Sequence, residues 1–384
     1  MSTNTAIHRA ALRVTFTLML FGFTSITAAR VALSLYALDL GGTPAVVGGV
    51  VAMLYVCPMF ISWPIGRYSD RVGSRRLMLL GAVSAACAMT IPFFVHAIGA
   101  LYVTAAMLGI SFAIYNVLLQ NSVGLLSAPA ERAKNFSNAS LVGATTNFIG
   151  PLMAGVAIDH TGHANACLLL VILSVGIAVV VLKWGRLLPR AGRKPAASGS
   201  MRGAMADPRM LRILGTSSLV QLGQDLFQFY IPVYGHRIGM SSSAIGGVVA
   251  TYAAASFVVR FLMPTLVARL GDERVLGYSF CLAALGFFLV PLFENVVALG
   301  VLSFLFGLGM GCGQPITTML IFSRSAEGRS GETLGLRQSV NNLLRVTGPT
   351  LFGLVATAFG LPPVFYLSGL MMGGGAWLTR PPRT

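Results

Sequence analysis

The sequence predicts an all-α integral membrane protein with twelve transmembrane helices in two pseudo-symmetric six-helix bundles. Composition is the first reason. Only 10% of the 384 residues are charged and the mean hydropathy is +0.78, whereas soluble domains have about 25% charged residues. Apolar runs of the ~20 residues that a helix needs to cross a bilayer recur along the chain. Such a chain has too few charged side chains to cover a surface that faces water.

An internal repeat is the second reason. Residues 198 positions apart match over most of the chain without gaps, which indicates two halves built alike. In an apolar chain, parallel repeats are typical of transporters. The matching pairs include Gly48–Ala52 with Gly246–Ala250, Tyr36 with Tyr234, Gly41 with Gly239, Gly73 with Gly271, and Gly150 and Pro151 with Gly348 and Pro349.

The apolar runs define the predicted elements. Six spans lie in an N-terminal bundle, residues 1–184, and six in a C-terminal bundle, residues 211–384, with a basic cytoplasmic linker, residues 185–210, between them. The first run continues to Leu38, which makes it a span and not a cleaved signal peptide. The predicted helices are 13–38, 44–65, 76–95, 98–121, 135–158, 164–184, 211–236, 243–266, 274–293, 296–321, 332–358 and 362–379.

Positive charge sets the predicted orientation of the spans. Arg and Lys follow the even-numbered spans, whereas the opposite turns hold His, Asp and Glu, with Arg237 as their one basic exception. Because Arg and Lys collect on the cytoplasmic side, we predict a multi-pass protein of the bacterial inner membrane with both termini in the cytoplasm. The net charge of +16 is explained by these turns, so we expect no nucleic-acid partner.

Several classes of chemical site have no counterpart in the sequence. The five cysteines fall inside apolar spans without motif spacing, and the histidines do not group at metal-ligand spacing, so we expect neither a disulfide framework nor a bound metal. No nucleotide-binding loop, nucleophile elbow or pair of carboxylates is present. We therefore expect no cofactor, no direct use of ATP and no enzyme activity.

A short charged hairpin, Gly66–Arg76, separates the second and third spans and reads G-R-Y-S-D-R-V-G-S-R-R. With the twelve spans, the repeat and the basic linker, it resembles the signature of the major facilitator superfamily, which usually has a basic residue at Ser74. The resemblance covers essentially the whole chain. It implies a hairpin that latches the cytoplasmic side, with Asp70 meeting a helix N-terminus or an arginine such as Arg337. The gating residues so implied are Gly66, Asp70, Arg71, Gly73 and Arg337.

The fifth span carries Gly150 and Pro151, in a pattern similar to the Gly-Pro signature of drug:proton antiporters, although that pattern has glycine at Ala154. Pro151 removes a backbone donor and kinks the helix, and glycine allows close helix contact. The resemblance favours export and adds Gly150 and Pro151 to the gating residues. The alternative is that the pair serves only packing and bending.

Charged side chains inside a span cost ~2.5–3.5 kcal/mol on insertion scales and are functional candidates. Arg30, Asp225 and Arg345 lie well inside predicted spans. A low dielectric favours the neutral carboxyl and a nearby cation favours the carboxylate, so a change of partner would let Asp225 take up and release a proton. We therefore predict Asp225 as the proton-coupling residue. The alternative is a static ion pair with Arg30 or Arg345.

The seventh span carries a polar stripe. Gln221, Gln224, Asp225 and Gln228 follow the i, i+3, i+4, i+7 spacing of one helix face. Such a face must meet a cavity or another polar face, since lipid would leave it unsatisfied. Substrate binding is the favoured role, and bridging between helices is the alternative. The predicted substrate-binding residues are Arg30, Asn116, Asn147, Gln221, Gln224, Gln228, Tyr234 and Arg345.

Together these features predict a proton-coupled secondary active transporter that works by alternating access. Arg30 and Arg345 outnumber Asp225, which favours a small anionic or amphipathic substrate, and export is favoured over uptake. Uptake of an organic anion such as a carboxylate is the first alternative, and a non-transporting membrane receptor or scaffold is the second. The expected partners are a small-molecule substrate, protons and the lipid bilayer, and the expected state is a monomer.

Overall fold

The computed structural model describes residues 2–189 and 208–379, and it contains no β-strand in these two ranges. Most of the predicted linker, residues 190–207, lies outside them. The first half consists of α1 (Ser2–Asp39), α2 (Pro44–Val72), α3 (Ser74–Phe94), α4 (Ile98–Leu126), α5 (Arg132–Thr161) and α6 (His163–Trp184). The second half consists of α7 (Pro208–Arg237), α8 (Ser242–Leu270), α9 (Asp272–Leu289), α10 (Val296–Met310), α11 (Gly313–Arg324), α12 (Ser330–Phe359) and α13 (Leu361–Leu378).

The predicted tenth span is divided in two. α10 ends at Met310 and α11 begins at Gly313, with Gly311 and Cys312 between them. Glycines at every second position from Gly307 to Gly313 destabilise a continuous helix here, because each costs about 1 kcal/mol relative to alanine in a helix interior. The other predicted spans each correspond to one helix.

Nine helical segments in the described ranges are long and apolar enough to cross a membrane. They cover the predicted spans except the seventh, eleventh and twelfth, which correspond to α7, α12 and α13. α7 and α12 carry Asp225 and Arg345 and most of the buried amide side chains of the second half. The same charged and amide side chains therefore lower the hydropathy of α7 and α12 and form the candidate site.

The repeat extends to the backbone conformation. In the described ranges, seven turns between helices have a glycine at positive φ, a conformation that disfavours residues with a side chain. Gly328 (φ 75°) has alanine at its equivalent position, Ala130, and the other six glycines form three pairs that obey the 198-residue offset. They are Gly41 and Gly239 (φ 77° and 79°), Gly73 and Gly271 (84° and 82°), and Gly162 and Gly360 (79° and 84°).

Contacts divide the helices into two compact units. Unit 1 contains α1–α4, α6, most of α5 and the first part of α12 up to Leu343. Unit 2 contains α7–α11, α13, the segment Phe136–Ser140 of α5 and the rest of α12 from Leu344. The sequence boundaries between bundles and linker stay a prediction.

Each unit has its own apolar core. In unit 1, the fully buried ring of Tyr115 lies against Gly22 of α1 and Gly81 of α3. In unit 2, Phe227 of α7 stacks on Phe306 of α10 with their ring centroids 3.9 Å apart. Large apolar side chains are also exposed on both units, as a surface that faces lipid requires.

Candidate functional site

The polar stripe of α7 lies mostly inside unit 2. Gln221 and Gln224 are buried, Asp225 is half-buried and Gln228 is exposed. The first turn of the stripe is therefore not a lipid-facing surface, as its spacing predicts.

Asp225 is the centre of a connected group of charged and amide side chains. Its Oδ2 accepts a hydrogen bond from Nε of Arg345 at 3.3 Å. Nε2 of Gln221 lies 2.9 Å from both carboxylate oxygens. Oε1 of Gln221 in turn accepts from Nε2 of Gln314 at 2.7 Å. We refer to Asp225, Arg345, Gln221 and Gln314 as the Asp225 cluster.

The cluster holds its side chains in a defined arrangement. Gln221 is held by an acceptor at one end and a donor at the other, which fixes the direction of its amide. Asp225 and Arg345 are both only partly exposed, at 23% and 28% of their side chains, so the ion pair is screened less than a surface pair. Loss of the charge on Asp225 would therefore change the bonding of both neighbours.

Gln224 has a different partner from the rest of the stripe. Its Nε2 donates to the carbonyl of Met310 at 2.7 Å, and Nε of Arg260 donates to the carbonyl of Gly311 at 2.9 Å. Both carbonyls lie at the break between α10 and α11, where the regular helical bonds stop. Gln224 thus bridges helices in this structure, which is the alternative role that the sequence left open.

The remaining residues predicted to bind substrate have other surroundings. Tyr234 donates to the carbonyl of Phe293 at 3.3 Å and packs edge-on to Phe365. The Gln228 side chain hydrogen-bonds the hydroxyl of Tyr252. Arg30, Asn116 and Asn147 belong to unit 1, where Asn147 is exposed and Asn116 accepts a bond from Gln120 at 2.6 Å.

The hairpin carboxylate meets the start of a helix within unit 1. Asp70 Oδ1 accepts from the backbone N–H of Gly331 at 3.0 Å, and Oδ2 accepts from that of Glu332 at 2.8 Å. The Asn121 side chain also bonds Asp70, and its Oδ1 accepts from the Ser330 hydroxyl at 2.7 Å. These five residues form what we call the Asp70 network, which ties the ends of α2 and α4 to the first turn of α12.

Glycine brings α2 and α12 into backbone contact at this network. A Cβ added at Gly66 would collide with the carbonyl of Gly331, and one at Gly335 would collide with the carbonyl of Ser62. Trp63 adds an indole N–H bond to Glu332 Oε1 at 3.3 Å. Any side chain at these two glycines would therefore force the helices apart.

Three other predicted gating residues have distinct surroundings. Arg71 is exposed at the end of α2, and Gly73 forms the left-handed turn into α3. Arg337 is 2% exposed, and one of its hydrogen bonds is donated to Oε1 of Gln120 in α4 at 3.4 Å.

Gly150 and Pro151 lie where α5 meets α1 within unit 1. A Cβ at Gly150 would collide with the Thr27 side chain, whose hydroxyl donates to the carbonyl of Thr146 at 2.9 Å. The repeat-related Gly348 is similarly packed in unit 2, against Leu222 of α7. Close packing on the first helix of each half is therefore common to both copies of the motif.

The sequence did not predict the helix break. The break and its Arg260 contact follow from backbone carbonyls, which a residue pattern does not show, although the Gly307–Gly313 alternation is a usable signal. Gln314 is a candidate by residue type, as a polar side chain in an apolar span, but its bond to Gln221 could not be predicted because it has no spacing relation to α7. In the ranges the structure describes, no three His, Cys, Asp or Glu side chains come together as metal ligands would.

Comparisons with known proteins identify the family. The model of the Major Facilitator Superfamily matches residues 15–244 and again residues 213–384. The chain is 22% identical over 349 residues to the uncharacterized MFS-type transporter YuxJ of Bacillus subtilis (strain 168), with 86% of each chain covered. It is 20% identical over 317 residues to the multidrug resistance protein MdtG of Rahnella sp. (strain Y9602), with 80% of this chain and 76% of MdtG covered.

A solved structure shares the fold. The crystal structure of the human organic anion transporter MFSD10 (TETRAN) matches with a TM-score of 0.78 at 16% identity, over 97% of this chain and 99% of that chain. The predicted fold class, two six-helix halves of an all-α membrane protein, is thereby confirmed. The family matches over both halves and the apolar helices lead to one conclusion: this chain is a multi-pass membrane transporter that belongs to the major facilitator superfamily.

Proposed function

We propose that the protein is a proton-coupled exporter of a small anionic or amphipathic organic molecule in a bacterial inner membrane. The Asp225 cluster carries the proposal, because it places an acid, a guanidinium and two amides in one bonded group on helices of a transporter. The name of the MdtG relatives, multidrug resistance protein, supports export. An intramembrane acid with a named basic partner is the arrangement expected of a proton relay.

Asp225 is the proposed proton carrier. While it is ionised, it pairs with Arg345 and accepts two bonds from Gln221. A proton removes its charge and leaves one of its oxygens as a donor, so the attraction to Arg345 is lost. Arg345, Gln221 and Gln314 are then free to rearrange, and this change in the cluster is the proposed link between the proton and the movement of the substrate.

The other predicted residues complete the proposal. We propose Arg30, Asn116, Asn147, Gln228 and Tyr234 as further substrate contacts. Gln224 is proposed to act on the site by holding the α10–α11 break in place.

The proposed gate is the Asp70 network. Its bonds to the first turn of α12 would form in one state of the transport cycle and break in another. The residues proposed to control this gate are Gly66, Asp70, Arg71, Gly73, Gly150, Pro151 and Arg337.

The Asp225–Arg345 pair also supports the second candidate, uptake of an organic anion. If protonation of Asp225 prepares Arg345 for a carboxylate, proton and anion bind together, and each raises the affinity for the other. Cooperative binding of this kind is the coupling of a symporter. In an exporter driven by protons, the two occupants instead move in opposite directions. The direction of proton movement therefore separates the two candidates.

Proton flux in proteoliposomes tests the proposal. The wild-type protein and Asp225→Asn are screened against organic anions and amphipathic drugs with a pH-sensitive dye inside the vesicles. We expect some compound to drive proton movement in the wild type, and expect Asp225→Asn to bind that compound without moving protons. Asp159→Asn, which changes an exposed acid at the end of α5, is the matched control and should behave as wild type. Equal coupled transport by wild type and Asp225→Asn would show that Asp225 is a structural partner of Arg345.

A further inference from the structure

Unit 2 contains a cavity that is separate from the Asp225 cluster. It lies among the starts of α7 and α9 and the ends of α11 and α13, on the side that the basic residues predict to be cytoplasmic. Its volume is about 530 Å³, within the range of small-molecule sites. The lining residues are Arg212, Ile213, Thr216, Glu273, Leu276, Leu320, Arg324, Leu378 and Thr379.

The lining of the cavity has a net positive charge. Arg212 and Arg324 face one acid, Glu273. Nη2 of Arg324 donates to Oε1 of Glu273 at 2.7 Å, and both side chains remain partly exposed, at 41% and 35%. Nε of Arg212 donates to the carbonyl of Leu378, which anchors this guanidinium at the end of α13. The lining therefore carries one surplus positive charge beside a pair that is accessible to solvent.

The deeper wall of the cavity is apolar. Ile213, Leu276 and Leu320 line it from three different helices. The hydroxyls of Thr216 and Thr379 donate to carbonyls of their own helices, at 2.9 and 2.8 Å, so neither hydroxyl needs a hydrogen-bond acceptor on a ligand. A ligand that suits this cavity has a charged end and an apolar end.

The repeat-related position in unit 1 has a different lining. The counterparts of Arg212 and Arg324 there are Val14 and Leu126. Leu188 is buried just after the 3₁₀ turn Gly185–Leu187, and that turn contacts α1. Arg75 stands at the position of Glu273, so two arginines with a facing acid occur only in the second half and do not follow from the fold alone.

We propose that this cavity binds an anionic amphiphile, with a phosphate or carboxylate head group at Arg212 and Arg324 and an aliphatic stem along Ile213, Leu276 and Leu320. Arginine suits such a head group because its planar donors match two oxygens at once. Basic pockets between helices on the cytoplasmic side are a general feature of anionic lipid binding. The head group comes from an anionic lipid of the bilayer or from a free amphiphile. The proposal goes beyond transport and does not depend on it.

Two substitutions in the exposed ion pair give opposite expected effects. Dihexanoyl phosphatidylglycerol is titrated into the purified full-length protein in detergent, with dihexanoyl phosphatidylcholine and sodium phosphate as reference ligands. We expect Arg324→Gln to weaken binding of phosphatidylglycerol by about fivefold, the effect of one unit charge at contact distance in water. Glu273→Gln, which frees Arg324 and removes a repelling charge, should tighten binding by a similar factor.

Controls separate the head group from general charge effects. Arg269→Gln removes an exposed arginine of unit 2 outside the cavity and should leave the affinity unchanged. Because the exposed Arg324–Glu273 pair adds little to stability, both cavity variants should fold. The proposal is wrong if the two variants shift affinity in the same direction or not at all. It is equally wrong if phosphatidylcholine or inorganic phosphate binds as tightly as phosphatidylglycerol.

Nanodiscs distinguish the two sources of the ligand. In phosphatidylcholine discs with and without phosphatidylglycerol, a lipid ligand raises the melting temperature of the wild type more than that of Arg324→Gln. A free amphiphile is probed with hexyl phosphate in discs of phosphatidylcholine alone. If the ligand is a free amphiphile, hexyl phosphate raises the melting temperature of the wild type more than that of Arg324→Gln, and phosphatidylglycerol does not. Either result supports the cavity as an amphiphile site, whereas equal responses of wild type and Arg324→Gln in both experiments overturn it.

Discussion

Asp70 is the residue whose contribution to stability follows most directly from its bonds. Its two oxygens accept N–H bonds from Gly331 and Glu332, where the helix dipole also favours a negative charge. Asp70→Asn keeps the shape but loses the charge and turns one acceptor into a donor that faces an N–H group. We expect a loss of about 1–2 kcal/mol, read as a lower melting temperature in detergent. Asp159→Asn should not change it, and equal melting of both variants would contradict the expectation.

Residue patterns predicted the Asp225 cluster in part. The i, i+3, i+4 spacing put Gln221, Gln224 and Asp225 on one face, and an ion pair between Asp225 and Arg345 was one of the two readings of those charges. The structure brings Gln221, Asp225 and Arg345 together, and the proton-carrier role stays a prediction. Gln224 could not be assigned from spacing, because its partner is a backbone carbonyl exposed by a helix break.

Tyr102 of α4 and Gly300 of α10 occupy equivalent positions in the repeat but fill the space beside their helices differently. The Tyr102 hydroxyl lies over Gly49 and donates to the carbonyl of Val46 at 3.3 Å. Gly300 is the position equivalent to Tyr102. A Cβ there would meet no atom within 4 Å, and Gly300 lines an apolar groove with Gly247. The same helix pair is therefore filled in unit 1 and open in unit 2.

This difference predicts opposite effects of exchanging the residues. Tyr102→Gly should destabilise the protein by about 3 kcal/mol or more, since it removes a packed ring. Gly300→Tyr should raise the melting temperature by filling the groove. Gly300→Ala is the control that isolates the gain in helix propensity, about 1 kcal/mol. Melting of Gly300→Tyr below Gly300→Ala would show that the two grooves are not equivalent.

At the level of elements, sequence periodicity located the helices better than their interruptions. Glycine turns at Gly73 and Gly271 separated successive helices as expected, because a charged turn interrupts an apolar run there. The break after Met310 interrupts a run that stays apolar, so hydropathy gives no sign of it. Its stability depends on Gln224 and Arg260, which come from other helices.

For the molecule as a whole, the predicted topology has a direct test. In a variant whose five native cysteines are serine, Glu294→Cys lies in a turn predicted to face outwards, and Glu131→Cys in one predicted to face the cytoplasm. We expect a membrane-impermeant maleimide to label only Glu294→Cys on intact cells and both variants after permeabilisation. Both sites are exposed, so access alone decides the result. Labelling of Glu131→Cys on intact cells would show that the orientation is the opposite of the predicted one.

The repeat made the twelve-helix fold predictable, but not the contacts that join distant segments. The 198-residue offset recurs in three pairs of left-handed glycines, so one half predicts these three turns of the other. Asp70 and its partner Gly331 are 261 residues apart and are not repeat equivalents. Their contact depends on glycines of α2 and α12 that allow close approach, which is a property of packing and not of sequence pattern.

The pairing of Asp225 with Arg345 also bears on how the chain enters the membrane during synthesis. Asp and Arg near a helix centre each oppose insertion by ~2.5–3.5 kcal/mol, and the two residues are 120 positions apart. At about 5–20 residues per second, a ribosome needs about 6–24 s to make that stretch. During this interval α7 has been synthesised but lacks its counter-ion. Stable integration of α7 therefore has to await α12, or depend on the translocation machinery to shelter its charge until α12 arrives.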